Sequence, residues 1–64
     1  MDLNSVRSFV GQMLYLGYDY IEATGLDESD LTSDALDALN EFRELCDNKG
    51  MSPYKAFIKA FYKC

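Results

Sequence analysis

The sequence contains no histidine and no tryptophan, a single proline, and two cysteines, Cys46 and Cys64. The missing histidine removes the usual general base of enzymes and the commonest side-chain ligand of transition metals. Two cysteines alone cannot form a tetrahedral zinc site unless carboxylates or a second chain contribute. A glycine-rich phosphate loop and a nucleophile with a partner base are absent as well. The sequence therefore predicts a protein that is not an enzyme, with no catalytic residue, metal or cofactor.

Long apolar runs are also missing from the chain. No run approaches the roughly 18 residues that a membrane-spanning helix needs. The first residues do not combine a basic flank with a following apolar stretch, which is the pattern of a secretory signal. We therefore expect a cytoplasmic protein that does not enter a membrane.

The composition is that of a folded chain. Of the 64 residues, 48% are hydrophobic and 27% are charged, and four phenylalanines and five tyrosines supply large side chains for a core. A chain of this length buries only about 60% of the surface that it exposes when unfolded. We expect one domain, residues 1–64, with a thin core.

The first segment with helical periodicity follows a cap at Asp2 or Asn4. It should end at Gly17, because glycine tolerates the left-handed conformation that is common just after a helix. Gly11 lies inside this segment and costs roughly 1 kcal/mol relative to alanine. Close approach of another helix at Gly11 is the simplest explanation.

The second long helix is predicted from a cap at Thr32 or Ser33 to about Gly50. Phe42 lies midway along its apolar face and is predicted as the centre of the core. The apolar positions at helical spacing are Leu31, Ala35, Leu39, Phe42, Leu45 and Cys46.

Two further helices complete the prediction. Asp19 can cap a single turn that ends at Gly25 and places Tyr20 and Ile21 in the core. The last helix begins at Ser52 and Pro53, because a proline at the first helical position loses no hydrogen bond. Its predicted apolar face consists of Tyr54, Phe57, Ile58 and Phe61. The sequence thus predicts an all-α fold, a small compact bundle of three main helices plus one short helix.

The charges divide the chain into two halves. Residues 1–48 hold all eleven acidic residues and two of the six basic ones, which gives −9. Residues 49–64 hold four lysines and no acid, which gives +4 and restores the net charge of −5. The two halves differ enough in charge to bind different partners.

Seven acidic residues follow one another along the second long helix and the segment before it. We call them the acidic ridge: Asp27, Glu28, Asp30, Asp34, Asp37, Glu41 and Glu44. Carboxylates three or four residues apart on a helix lie about 5 to 6 Å from one another. Nucleic-acid strands carry phosphates at comparable spacing, one per roughly 3.4 Å of rise. The ridge is therefore predicted to enter a protein groove that is built for a nucleic-acid backbone.

The predicted partner is a protein with a basic nucleic-acid-binding surface, and direct binding of nucleic acid is not expected. Tyr15, Tyr18 and Tyr20 are predicted as secondary contacts at the edge of the ridge. We expect the protein to be a monomer or a weak dimer. The alternative is that the ridge is only the solvated face of an amphipathic helix, which is the usual role of such a stripe.

The last helix carries the opposite charge, with Lys55, Lys59 and Lys63 at four-residue intervals. These lysines define an alternative function, a small DNA-binding regulator that would act as a dimer. They are equally explained as lysines that lie over a small core with their charged ends in water.

A local pattern resembles ubiquitin-associated domains, which are compact three-helix modules. Leu16, Gly17 and Tyr18 look like the loop after the first helix of that family, and residues 34–39 resemble part of its third helix. The resemblance implies a protein-interaction adaptor as a further alternative. Gly25 departs from the pattern, because the family has a continuous second helix at that place.

The acidic ridge, the short length and the abundance of aromatic residues together resemble small bacteriophage proteins that act against host defences. Anti-CRISPR proteins and DNA mimics belong to this class. The resemblance is one of general character and matches no motif. It implies an inhibitor that binds a host nucleic-acid-binding protein stoichiometrically in the cytoplasm of the host cell.

Overall fold

The computed structural model describes residues 1–62 and contains helices at the segments with helical periodicity. The α-helices are α1 (Leu3–Tyr15), α2 (Tyr20–Ala23), α3 (Ser33–Asp47) and α4 (Pro53–Phe61), and a 3-10 turn covers Glu28–Asp30. The described residues contain no strand. These elements confirm the all-α bundle of three main helices and one short helix.

Aspartate side chains begin three of these elements by accepting hydrogen bonds from backbone N–H groups that lack a helical partner. The pairs are Asp2 with Ser5, Asp19 with Glu22, and Asp27 with Ser29. At the start of α3, Thr32 holds the capping position without a capping bond from its side chain. Ser52 does the same at the start of α4, with Pro53 next to it as predicted.

Gly17 ends the first helix as predicted. Its φ angle is 96°, in the left-handed region that favours glycine. The backbone N–H of Gly17 donates to the Leu14 carbonyl, and that of Tyr18 donates to the Met13 carbonyl, both at 3.1 Å. This pair of bonds is a Schellman motif, which satisfies carbonyls at the helix end and turns the chain towards α2.

Phe42 is the centre of the core, as the periodicity predicts. Its side chain is fully buried, and the edges and faces of Tyr20 and Phe61 pack around it at ring-centroid distances of 6.4 and 6.0 Å. Leu39, Val6 and Val10 are the other large side chains that are fully buried. The core therefore joins α1, α3 and α4 around a single aromatic ring.

Two parts of the predicted core were wrong. On α4, Tyr54 and Ile58 are 56% and 54% exposed, and Ala56 and Ala60 are buried instead. The small alanines allow α4 to pack closely, whereas the bulkier residues one row away face solvent. On α2, Ile21 is 65% exposed, because a single turn can direct only part of its residues inward.

Gly11 lies against the Phe57 ring of α4, which agrees with the close approach of another helix expected there. A methyl group at Gly11 would lie 3.0 Å from the tip of the Phe57 ring. Glycine at this position therefore lets the two helices pack against each other, at the cost of some helix propensity.

Gly11→Leu should lower the free energy of unfolding by about 1 to 3 kcal/mol, because the new side chain must displace the Phe57 ring. Ser8→Leu is the matched control, since it adds the same side chain at an exposed position of the same helix. Thermal melts followed by circular dichroism measure both variants. Equal melting temperatures for the two leucine variants would contradict the assigned packing of α1 against α4.

Candidate protein-interaction surface

The acidic ridge lies on α3 and on the 3-10 turn that precedes it. Six of its seven side chains are exposed, and Glu41 is half-buried. Glu41 therefore lies at the flank of the exposed surface and not at its middle. The ridge residues lie on consecutive elements, but Glu28 contacts Arg43, which is about 100° around α3 from Glu44.

Two ridge carboxylates also stabilise local structure. Asp27 accepts hydrogen bonds from the Ser29 hydroxyl at 2.8 Å and from the Ser29 N–H at 3.1 Å. Asp34 accepts from the Thr32 hydroxyl at 2.7 Å and from the Ala35 N–H at 3.0 Å. The hydroxyl bonds from Ser29 and Thr32 are the main reason that the pKa of each carboxyl lies below its usual value. Both groups are therefore anionic at neutral pH while they hold the backbone in place.

Arg43 neutralises one end of the ridge. Its guanidinium forms a salt bridge with Glu28 at 2.7 Å and donates a second hydrogen bond to the Thr24 carbonyl at 2.6 Å. One side chain of α3 thereby connects the end of α2 and the 3-10 turn to the helix. The charge of Glu28 is consequently compensated by a cation within residues 1–62.

Three ridge acids are exposed: Asp30, Asp37 and Glu44. The Met1 ammonium donates a hydrogen bond to the backbone carbonyl of Asp30, so a positive charge lies beside that residue. None of the three forms a salt bridge with a cation of residues 1–62. Asp37 and Glu44 are two turns apart on α3, which separates them by about 10 Å along the axis. We call these three residues the open carboxylates, because a partner can reach them without breaking a bond described here.

A groove of about 450 Å³ runs beside the ridge between α1, α3 and α4. Asp34 and Asp37 line one wall, and Arg7 and Tyr62 line the other. Arg7 donates to the Phe61 carbonyl at 3.1 Å, and its guanidinium carbon lies 4.8 Å from the centre of the Tyr62 ring. Arg7 thus stabilises the end of α4 by hydrogen bonding and by a cation–π contact.

The three predicted secondary contacts differ in their surroundings. Tyr15 and Tyr18 are exposed, at 82% and 46%. Tyr20 is half-buried and donates a hydrogen bond to Asp47, which is the principal reason that the pKa of the Tyr20 hydroxyl is raised. The contact with Asp47 places α2 at the last turn of α3, which is the end of the helix far from Asp30.

The predicted basic residues of the last helix are only partly described. Lys55 and Lys59 are exposed on α4, one turn apart. Lys63 lies outside the described residues. The lysines therefore occupy a helix different from the one that carries the ridge.

Comparison of the chain with protein-family models, with curated proteins and with solved structures finds no match. The similarity to ubiquitin-associated domains stays a prediction. Leu16 and Tyr18 are exposed around Gly17, while α2 is only one turn long. Among residues 1–62, no helix has the length and apolar character to cross a membrane, and no three metal-ligating side chains lie close enough to hold an ion.

The lowered pKa values of three carboxyl groups that hydrogen-bond near helix starts predict how stability depends on pH. The pKa values of Asp2, Asp27 and Asp34 are lowered by folding, so these groups contribute stability above the unfolded value of 3.8. That contribution is lost as the pH falls through their folded pKa values. The melting temperature should therefore fall most steeply below pH 3.8 when measured from about pH 5 to about pH 2.

Asp27→Asn with Asp34→Asn is the variant that checks this assignment. It removes two titrating groups and should flatten the pH dependence of the melting temperature. If the wild-type melting temperature instead rose as the pH was lowered, relief of repulsion among the carboxylates would outweigh the loss of the hydrogen bonds that Asp27 and Asp34 accept.

Proposed function

We propose that the protein is a stoichiometric inhibitor whose acidic ridge binds the basic nucleic-acid-binding groove of a protein partner and excludes the nucleic acid. The observation that supports this most is the exposure of Asp30, Asp37 and Glu44 without a salt bridge among residues 1–62. Like charges three or four residues apart on a helix, as Asp34 and Asp37 are, destabilise it by a few tenths of a kcal/mol per pair. A small domain with little stability to lose has a reason to keep them if a partner uses them.

The partner supplies the counter-charge that the ridge lacks. Lysine and arginine side chains in a phosphate-binding groove are arranged to neutralise a row of negative charges. The carboxylates of α3 present such a row, and the net charge of −5 attracts the partner over a distance greater than that of direct contact. Salt weakens both contributions, so the complex should be most stable at low ionic strength.

The fold holds the carboxylates in place before binding. Asp34 is fixed by two hydrogen bonds at the start of α3, and Arg43 ties the 3-10 turn to the same helix. Side chains and loops that are already ordered lose less entropy when a complex forms. The same bonds that stabilise the fold therefore favour recognition by the ridge.

The specific form of this proposal is a phage-encoded inhibitor of a host nucleic-acid-binding protein, of the anti-CRISPR or DNA-mimic kind, which acts in the host cytoplasm. Its support is the row of exposed acidic residues on α3 and the 3-10 turn, together with the net charge of −5. Inhibition by occupying a groove needs no catalytic group, so it requires only the surface described above.

Capture of a partner tests the proposal. The immobilised protein is incubated at low salt with bacterial lysate that has been treated with nuclease, and the retained proteins are identified by mass spectrometry. We expect a protein that binds duplex DNA or RNA in a mobility-shift assay, and we expect this binding to disappear when the acidic protein is added. Retained proteins that bind no nucleic acid would contradict the proposal.

A further inference from the structure

Helix α4 and the residue after it carry an exposed row of three large side chains, two of which, Tyr54 and Ile58, the sequence assigned to the core. Tyr54, Ile58 and Tyr62 follow one another at four-residue intervals and are 56%, 54% and 51% exposed. Tyr62 is held in position by the Arg7 guanidinium and by an edge contact with Phe57 at 5.6 Å. The row therefore runs from the first turn of α4 to Tyr62, the residue that follows the helix.

Helix α1 extends this surface with another aromatic side chain. The contacts of Gly11 with Phe57 and of Arg7 with Phe61 show that α1 and α4 run antiparallel. One turn beyond Gly11, this arrangement brings Tyr15 to the level of Tyr54. We call Tyr15, Tyr54, Ile58 and Tyr62 the aromatic patch. Exposed large side chains grouped in this way are typical of an interaction site.

The charges beside the aromatic patch differ from those of the rest of the molecule. Lys55 and Lys59 are exposed on the next row of α4. At the other end of the patch, Tyr62 shares a groove with Asp34, Asp37 and Arg7, so the basic edge belongs to the part that Tyr54 and Ile58 form. An apolar row with a basic edge is complementary to a helix that has an apolar face and acidic flanks. We propose that the end of the aromatic patch formed by Tyr54 and Ile58 binds an acidic amphipathic helix of a partner protein, beside Lys55 and Lys59 and away from the acidic ridge.

A second copy of the chain fits this surface less well. Antiparallel pairing of two α4 helices would place Ile58 against its counterpart and bring both lysine rows to the same edge of the contact. The like charges would then repel one another without an acid between them. A partner helix with glutamates or aspartates at its flanks removes this repulsion.

The test uses two synthetic peptides of about 18 residues, long enough to form a helix. Both carry leucines at helical spacing on one face, and the flanks are glutamates in one peptide and lysines in the other. Backbone amide shifts of the isotope-labelled protein locate binding of each peptide by NMR. We expect the glutamate peptide to shift the amides of α4 and Tyr15, and the lysine peptide to shift those of α3.

Two serine variants provide the matched comparison. Ile58→Ser should weaken binding of the glutamate peptide about tenfold, because it removes the middle of the aromatic patch. Ile21→Ser makes the same change at an exposed isoleucine on α2 and should leave the affinity unchanged. Lys55→Glu with Lys59→Glu should abolish the preference of α4 for the glutamate peptide.

Four results would overturn the proposal. The first is that millimolar glutamate peptide causes no shifts on α4, and the second is that the two serine variants weaken binding equally. The third is that α4 amides shift with protein concentration in the absence of peptide. The fourth is that anionic lipid vesicles bind through the aromatic patch. The third would identify a second copy as the occupant, and the fourth a membrane surface.

Discussion

Phe42→Ala should leave the protein largely unfolded at room temperature. The Phe42 ring is fully buried and contacts aromatic rings of α2 and α4, so its removal leaves a cavity that no neighbouring side chain fills. Truncation of a buried phenylalanine costs about 3 to 5 kcal/mol. A domain of this size has a total stability of about 3 to 5 kcal/mol. Circular dichroism at 222 nm, recorded through a thermal melt, measures the loss.

Asn40→Ala is the control for this prediction. Asn40 lies two residues earlier on the exposed side of α3, and alanine has the higher helix propensity. Its melting temperature should be unchanged or slightly higher. If Phe42→Ala melted like the wild type, the assignment of the buried and exposed sides of α3 would be wrong, and the position of the acidic ridge with it.

Charge reversal at the open carboxylates should have the second large effect, on affinity for the captured partner. Glu44→Lys should weaken binding about tenfold, and Asp37→Lys with Glu44→Lys about 100-fold, since each reversal replaces an attraction by a repulsion. Neither side chain has a hydrogen bond within residues 1–62, so the fold should persist. Isothermal titration calorimetry at low salt measures the affinities.

Glu22→Lys separates the effect of position from that of net charge. Glu22 is exposed on α2, outside the acidic ridge, and its reversal changes the net charge by the same amount as Glu44→Lys. We expect it to weaken binding no more than about twofold, through the reduced long-range attraction. Equal losses for Glu22→Lys and Glu44→Lys would mean that the partner responds to overall charge and not to the ridge.

The helices could be predicted because their signals are local. Capping by Asp2 and Asp19, the turn at Gly17 and the start at Pro53 each depend on neighbours within a few residues. The burial of Phe42 followed from its position in the middle of a long periodic segment. Such features require no knowledge of how the helices are arranged.

The inner side of α4 could not be predicted in the same way. Tyr54 and Ile58 have helical spacing with Phe57 and Phe61, and the bulk of their side chains indicated burial. The structure buries Ala56 and Ala60 because close approach of helices selects small residues, which carry a weak hydrophobic signal in the sequence. Because Tyr54 and Ile58 were predicted to be buried, the exposed row that they form in the aromatic patch was not predicted from the sequence.

The sequence predicts that the acidic residues of the candidate site form a row. It does not predict which of them are paired, buried or exposed. Spacing alone places Asp37 and Glu44 on one surface of α3. It does not show that Arg43 reaches Glu28, fifteen residues earlier, because this salt bridge depends on the path of the chain through α2 and the 3-10 turn. It also does not show that Glu41 is half-buried, since the burial of a side chain at the flank of a helix depends on how the helices are arranged.

Competition between the protein and a nucleic acid for the captured partner is the most direct test of the central claim. A labelled duplex is titrated with partner at several fixed concentrations of the acidic protein, and fluorescence anisotropy reports the bound fraction. If the ridge occupies the nucleic-acid groove, the apparent dissociation constant of the duplex rises in proportion to the concentration of acidic protein, and no ternary complex forms. An apparent dissociation constant that reaches a plateau, with a ternary complex of duplex, partner and acidic protein, would contradict it.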